Sequence, residues 1–188
     1  MNTLALQSLR RAAALLWPAL GLAACAVAPL PPSVPEAIAP ARGESLALSV
    51  AARGVQVYEC RSAAPGAAPA WQFVAPDAQL FDARGHRIGE HGAGPHWQAL
   101  DGSRLDAVVK ARADAPRDGA IPWLLLSAQA SGRTGSFTGV SSIQRINTQG
   151  GVAPAGGCDA ASVGRIARVP YTADYRLFRG AGGSPVVF

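Results

Sequence analysis

Lysine is almost missing from this chain: Lys110 is the single one among 17 basic side chains, and no stretch of the 188 residues gathers arginines into a phosphate-binding face. A formal net charge of +5 falls to +3 once Arg10 and Arg11 are taken away with the leader described below. That balance is modest, and nucleic acid is not expected as a partner. The Arg bias fits a GC-rich genome. Gly-x-Gly-x-x-Gly is also missing, and with no strand-helix unit to present a pyrophosphate to a helix N-terminus, no dinucleotide or other cofactor is expected. No Gly-x-Ser-x-Gly elbow exposes a serine nucleophile, and no Cys-x-x-Cys or Cys-His spacing marks a metal or redox centre. Helical periodicity never persists beyond three turns, which excludes a helical bundle.

What is present begins with a leader. Arg10-Arg11 followed by the apolar run Ala12 to Ala24 has the form of a bacterial secretory signal, too short to span a bilayer and interrupted by Pro18. It closes on Leu22-Ala23-Ala24-Cys25, the pattern of a lipobox, so cleavage before Cys25 would leave a lipidated cysteine as the membrane anchor. The alternative is an ordinary signal peptide cleaved nearby, with Cys25 incidental. Ala26 in place of Asp points to the outer membrane, so the expected location is the cell envelope, facing the periplasm or the surface. Pro29 to Pro40 reads as a proline-rich tether without capacity for helix or central strand. The expected organisation is a signal peptide over 1–24, a lipidated cysteine and tether over 25–40, one β domain over 41–180 and a tail over 181–188.

Beyond Cys25 the chain has two further cysteines, Cys60 and Cys158. In an oxidising compartment that even pair reads as one disulfide, the competing reading being a reactive thiol or metal ligand that lacks any nearby partner.

The domain itself alternates with period two between Gly, Pro and Asp punctuation. Ser45–Val50, Gly54–Cys60, Trp71–Val74 and Ala78–Asp82 each read as a strand offering one apolar face, with Pro76 separating the third from the fourth. Asp82–Gly85 reads as a turn leading into a returning strand, and Asp101-Gly102-Ser103 as the turn of a second hairpin between His96–Leu100 and Arg104–Ala111. Ile121–Ala128 is a continuous apolar run suited to a strand buried on both faces or a short helix. Ser136–Asn147 and Val169–Phe178 complete the set, with Thr148–Gly151 as a turn. Strand signals at this spacing predict an all-β fold, an antiparallel sandwich or barrel with long Gly/Pro-rich loops and little helix.

Along these strands, Gly54-Val-Gln-Val-Tyr-Glu-Cys60, Trp71-x-Phe-x-Ala-Pro76, Gly89-x-His91-x-x-Gly94-Pro95-x-Trp97, Ile121-Pro-Trp-Leu-Leu125, Ile143-Gln-Arg-x-Asn147-Thr148 and Val169-Pro-Tyr171-x-Ala173-x-Tyr175 resemble the DUF3455 family, a domain of unknown function found in exported proteins of bacteria and fungi. The resemblance runs over about residues 34–178. It implies a shared scaffold, with Cys60 and Cys158 at the family's cysteine positions, and brings no established catalytic or binding residues.

The chemistry therefore has to come from the residues. His86, His91 and His96 recur every five positions, a spacing that sends neighbours on a continuous strand to opposite faces, and with Glu90 as the only local fourth ligand no metal site is expected. His91, between two Gly-rich turns and close to Trp97, is the best candidate for a polar group aimed into a pocket. Gln144, Arg145 and Asn147 alternate with Ile143 and Ile146 near a strand end, where they could line a small-molecule or glycan site with Trp97 or Trp123 as a stacking platform. The leading expectation is a lipid-anchored, non-catalytic envelope domain that binds a small molecule, a glycan or an envelope protein, with no catalytic residues. Its rival is a hydrolase or other enzyme using His91 as general base with Asp101 or Glu90. Asp101-Gly102-Ser103 reads as a turn, since adjacent residues cannot form a relay alone.

Overall fold

The computed structural model of the protein describes residues 33–180. The expected signal peptide, Cys25, the first part of the tether and the tail at 181–188 lie outside the described residues. Eight antiparallel strands close into one barrel in simple chain order: β1 (Ser45–Arg61), β2 (Ala70–Phe81), β3 (Arg87–Gly92), β4 (His96–Ala99), β5 (Ser103–Ala113), β6 (Trp123–Gly132), β7 (Val140–Gly150) and β8 (Ile166–Arg179). Closure comes from β8, which pairs with β1 from Ser45↔Arg179 to Glu59↔Ile166. Of the two all-β architectures open from sequence, the barrel is the one that forms. Helix among the described residues is limited to two 3-10 turns, Glu36–Ile38 and Ala160–Ser162.

An up-and-down order sorts the connections by parity. Those after β1, β3, β5 and β7 gather at one end of the barrel, and those after β2, β4 and β6 at the other. The second end is packed shut, with Leu80, Leu105, Phe137, Ile143 and Leu177 wholly buried there. Asp101 pins it. Its carboxylate accepts hydrogen bonds from the backbone N–H and Oγ of Ser103 (2.9 and 2.6 Å) and of Ser136 (2.7 and 2.6 Å), joining the β4–β5 turn to the loop after β6. Gly102 supplies the left-handed residue of that turn (φ 88°), which a Cβ would disfavour. Burial opposes ionisation of Asp101, but these hydrogen bonds outweigh it and hold the carboxyl below its ordinary range.

The strands differ from the sequence expectation in instructive ways. Ser45–Val50 and Gly54–Cys60 are one strand, and so are Trp71–Val74 and Ala78–Asp82, with Pro76 inside β2 paired to Gln56. Pro76 is tolerated because β3 reaches only as far as Ala78, so from Ala70 to Asp77 β2 has a partner on one edge alone. In the second half of β1 the buried face is Gln56, Tyr58 and Cys60 rather than Val55 and Val57. Thr148 and Gln149 belong to β7, with a bulge between Ile146 and Gln149, and Ser136 and Phe137 precede that strand.

The apolar run of β6 is indeed buried on both faces, as a strand. Leu124 and Leu126 enter the barrel core, while Trp123 and Leu125 point outward. The outer pair is covered by residues read from sequence as tether: Ile38, in the first 3-10 turn, is wholly buried against Trp123, Leu125 and Ile146. Gln144 Nε2 donates to Ile38 O at 2.8 Å and fixes the turn in place. A bulge in β5 between Val109 and Ala111 completes the arrangement. It turns Ala111 and Ala113 out beneath Ile38, and exposed Arg112 joins Val109 at the border of the cavity described below.

Candidate functional site

At the end opposite Asp101 the barrel is not filled. A cavity of about 570 Å³ lies inside it, and every one of the eight strands contributes to its wall. Short β3 and β4 shape the opening. β4 pairs with β5 only from Asp106 back to Arg104, so β5 beyond that point, like β2 before Ala78, has no strand beside it on the hairpin side. The gap between these two edges is bordered by Phe73, Val74 and Pro76 of β2, Gly94 and Pro95 of the hairpin tip, and Val109 and Arg112 of β5, all of which line the cavity. Phe73 and Val74 are exposed there, at 51% and 47%.

The rim across from the hairpin is stapled. Cys60 and Cys158 form the expected disulfide, tying the β7–β8 loop to the end of β1 with Cα atoms 5.4 Å apart. Cys60 N donates to Arg165 O and Gly164 N donates back to Cys60 O, while Trp71 Nε1 reaches Gly156 O at 2.9 Å. Tyr58 OH donates to Gly151 O at 2.6 Å. Gly151 has a φ of 81° and sits so close to Tyr171, Gln56 and Ile121 that a side chain would have to displace them. The loop therefore forms a fixed lip.

The cavity wall is mostly apolar, with Leu124, Leu126, Val109 and Ile121 beside the ring of Trp97. Its polar groups are few and unusually placed. His91 is buried and stacks on Trp97, ring centroids 4.1 Å apart and planes at 13°, with Tyr175 edge-on at 5.2 Å. Nδ1 of His91 lies 2.7 Å from His96 O; a carbonyl can only accept, so Nδ1 carries the proton and Nε2 is left as an acceptor. Burial depresses the pKa of this ring from 6.5 to about 3, against the hydrogen bond to His96, which favours the charged form, and Arg145 adds a smaller push downward. His91 is thus neutral at neutral pH.

Arg145, half-buried on β7, gives Nε and Nη2 to a single acceptor, Pro122 O, at 3.1 and 2.8 Å. Gln56 Nε2 and Trp97 Nε1 are buried in the wall with no hydrogen-bond partner among the described residues, and Tyr175 OH is turned toward Tyr171 and Arg145. Leaving the first two unpaired costs about 1–3 kcal/mol each.

The structure brings together three of the six residues singled out from sequence: His91, Trp97 and Arg145 all line the cavity. Trp123 and Gln144 alternate to the outer face of β6 and β7, under Ile38. Asn147 stands at the β7 bulge in a left-handed conformation (φ 52°), donating to Asp174 Oδ2 at 2.7 Å. The three histidines do not converge. His86 is exposed beside Asp82, His96 Nδ1 contacts Ala93 O, and among the described residues no three His, Cys, Asp or Glu side chains are placed to share a metal ion. Of the acids weighed as partners for His91, Glu90 alternates to the outer face of β3 beside Arg87, and Asp101 is bonded to Ser103 and Ser136.

Sequence reasoning passed over Gln56, Tyr58, Arg112 and Tyr175. The parity of Cys60 was a signal for the first two, because a cysteine committed to a disulfide places Tyr58 and Gln56 on its own face. Arg112 could not have been found, since its position at the cavity border depends on the β5 bulge.

An eight-stranded up-and-down barrel with a partly apolar, side-opening cavity defines a class of small barrels built around an internal site. Within it this chain belongs to the DUF3455 family, described as a protein of unknown function, whose model matches residues 40–179 and so covers all eight strands. No curated protein and no solved structure matches the chain.

Proposed function

We propose that the protein is a non-catalytic ligand-binding barrel of the cell envelope, anchored through a lipid on Cys25, that holds a small molecule in the cavity between His91, Trp97 and Arg145. The observation that carries this reading is the cavity: 570 Å³ of space reached through a gap in the barrel wall, with buried polar atoms of Gln56 and Trp97 that have no partner among the described residues. A space of that size with a few convergent polar groups in an apolar wall is the usual form of a small-molecule site. The fixed lip and the Trp97 ring favour a small molecule over a protein partner. The general-base reading of His91 draws no support from its neighbours, since a ring whose pKa is lowered to about 3 is a weak base and neither Glu90 nor Asp101 bonds to it.

The experiment is a thermal-shift screen of small organic compounds on the purified protein, run beside Leu126→Trp, which fills the cavity. A compound bound at 100 times its Kd should stabilise the fold by about 2.7 kcal/mol, and Leu126→Trp should lose that shift. A screen in which nothing raises the melting temperature, or in which hits act equally on Leu126→Trp, overturns the reading.

A further inference from the structure

Resting on the reading of this cavity as a ligand site, we propose that what it takes is an amphiphilic organic carboxylate, with the carboxylate on the guanidinium of Arg145 and the apolar body against Leu124, Leu126 and Trp97. The charges of the wall point one way. Among the described residues its only charged side chains are Arg112 and Arg145, and no Asp or Glu lines it. All 12 acidic residues of the chain lie among the described residues, and none of them pairs with Arg145. Its hydrogen bonds go to a carbonyl and to no carboxylate, so the positive charge of this half-buried guanidinium is not neutralised within the described residues.

The geometry of Arg145 says what shape the anion has. Its Nε and Nη2 edge is used on Pro122 O, which holds the group in a fixed orientation. That leaves the end-on edge of Nη1 and Nη2, which Tyr175 OH also approaches, and this fork matches the two oxygens of a carboxylate. The other unpaired groups of the wall agree in sign. Gln56 Nε2 and Trp97 Nε1 can only donate. Donors thus outnumber the acceptor left free in the wall by His91 Nε2, and together with the aliphatic lining they describe an anionic head with an apolar tail. A sugar, which brings as many donors as acceptors, matches this wall poorly.

Isothermal titration of the purified protein with decanoate, 1-decanol and sulfate tests the assignment, using wild type, Arg145→Gln and the cavity-filled Leu126→Trp. Wild type should bind decanoate about 10- to 100-fold more tightly than decanol, Arg145→Gln should bring the two to within threefold, and sulfate should not compete. Equal binding of decanoate and decanol by wild type, or a preference that survives in Arg145→Gln, overturns the carboxylate assignment while leaving the cavity as a ligand site. Displacement of decanoate by equimolar sulfate overturns the amphiphile. Decanoate binding that Leu126→Trp does not weaken overturns the cavity reading itself, and so does the failure of decanoate and decanol both to bind. Should Arg145→Gln fail to fold, the decanoate-to-decanol ratio of wild type decides alone.

Discussion

The imidazole of His91 lies flat on the indole of Trp97, centroids 4.1 Å apart, and both rings meet Tyr175 edge-on. The three side chains come from β3, β4 and β8, and they form the floor on which the cavity stands. Burial of the ring favours its neutral form in this stack, and the nearby Arg145 cation adds a smaller push the same way.

That charge state makes stability depend on pH. The unfolded chain takes up this proton near pH 6.5, the folded chain only near pH 3, so between those values the unfolded state binds more protons and stability falls as pH falls. Urea midpoints measured from pH 7 to pH 5 should drop for wild type and stay nearly level for His91→Phe, which keeps a ring on Trp97. Below about pH 4 the lowered carboxyls of Asp101 and Glu44 add a further loss common to both proteins. Parallel curves from pH 7 to pH 5 would show that His91 is not the group involved.

The staple of the lip should be worth more than any single side chain. A cross-link spanning 98 residues is expected to stabilise by about 4 to 5 kcal/mol in the chain-entropy view. Cys60→Ala with Cys158→Ala should lose most of that in chemical denaturation, and wild type under reducing conditions should match the double variant. A loss under 1 kcal/mol would mean that the lip's hydrogen bonds hold it unaided.

At the shut end, Asp101→Asn removes a carboxylate that accepts four hydrogen bonds, and an amide can accept from only part of the set. The expected loss is about 1–3 kcal/mol, read as a fall in melting temperature. Ligand binding at the far end should be unchanged.

Ile38→Ala should cost about 2–4 kcal/mol, since the side chain is wholly buried among Trp123, Leu125 and Ile146. Limited proteolysis should then cut ahead of β1 faster than in wild type. Unchanged cleavage would mean that Gln144 alone secures the turn.

The anchor has its own check. Labelled palmitate should enter the wild-type protein in a bacterial host and be absent from Cys25→Ser; label in the variant would refute lipidation at that residue.

Much of the barrel can be read in the chain because period-two alternation and turn chemistry are local. Asp101-Gly102-Ser103 is a turn for reasons held within three residues, and the double burial of Trp123 to Leu126 is visible as an unbroken apolar run. What could not be read depends on partners far away in sequence. Pro76 reads as the end of a strand until the shortness of β3 shows that one edge of β2 stands alone. Ile38 looks like part of a tether until Trp123 and Gln144 are known to face outward beneath it. The cavity was half legible: His91, Trp97 and Arg145 stood out as polar or aromatic residues near turns, whereas Arg112 owes its position to a bulge that no local pattern announces.

Pro76 has one more effect, on association between molecules. Among the described residues the stretches of β2 and β5 beside the cavity opening are unpaired strand edges, and such an edge flanked by Phe73 and Val74 invites a second chain to add itself as a ninth strand. Proline offers no N–H for such a pairing, and Lys110 and Arg112 place like charges on the opposite edge. The same residue that interrupts the strand pattern in the sequence thus also disfavours strand exchange at this edge.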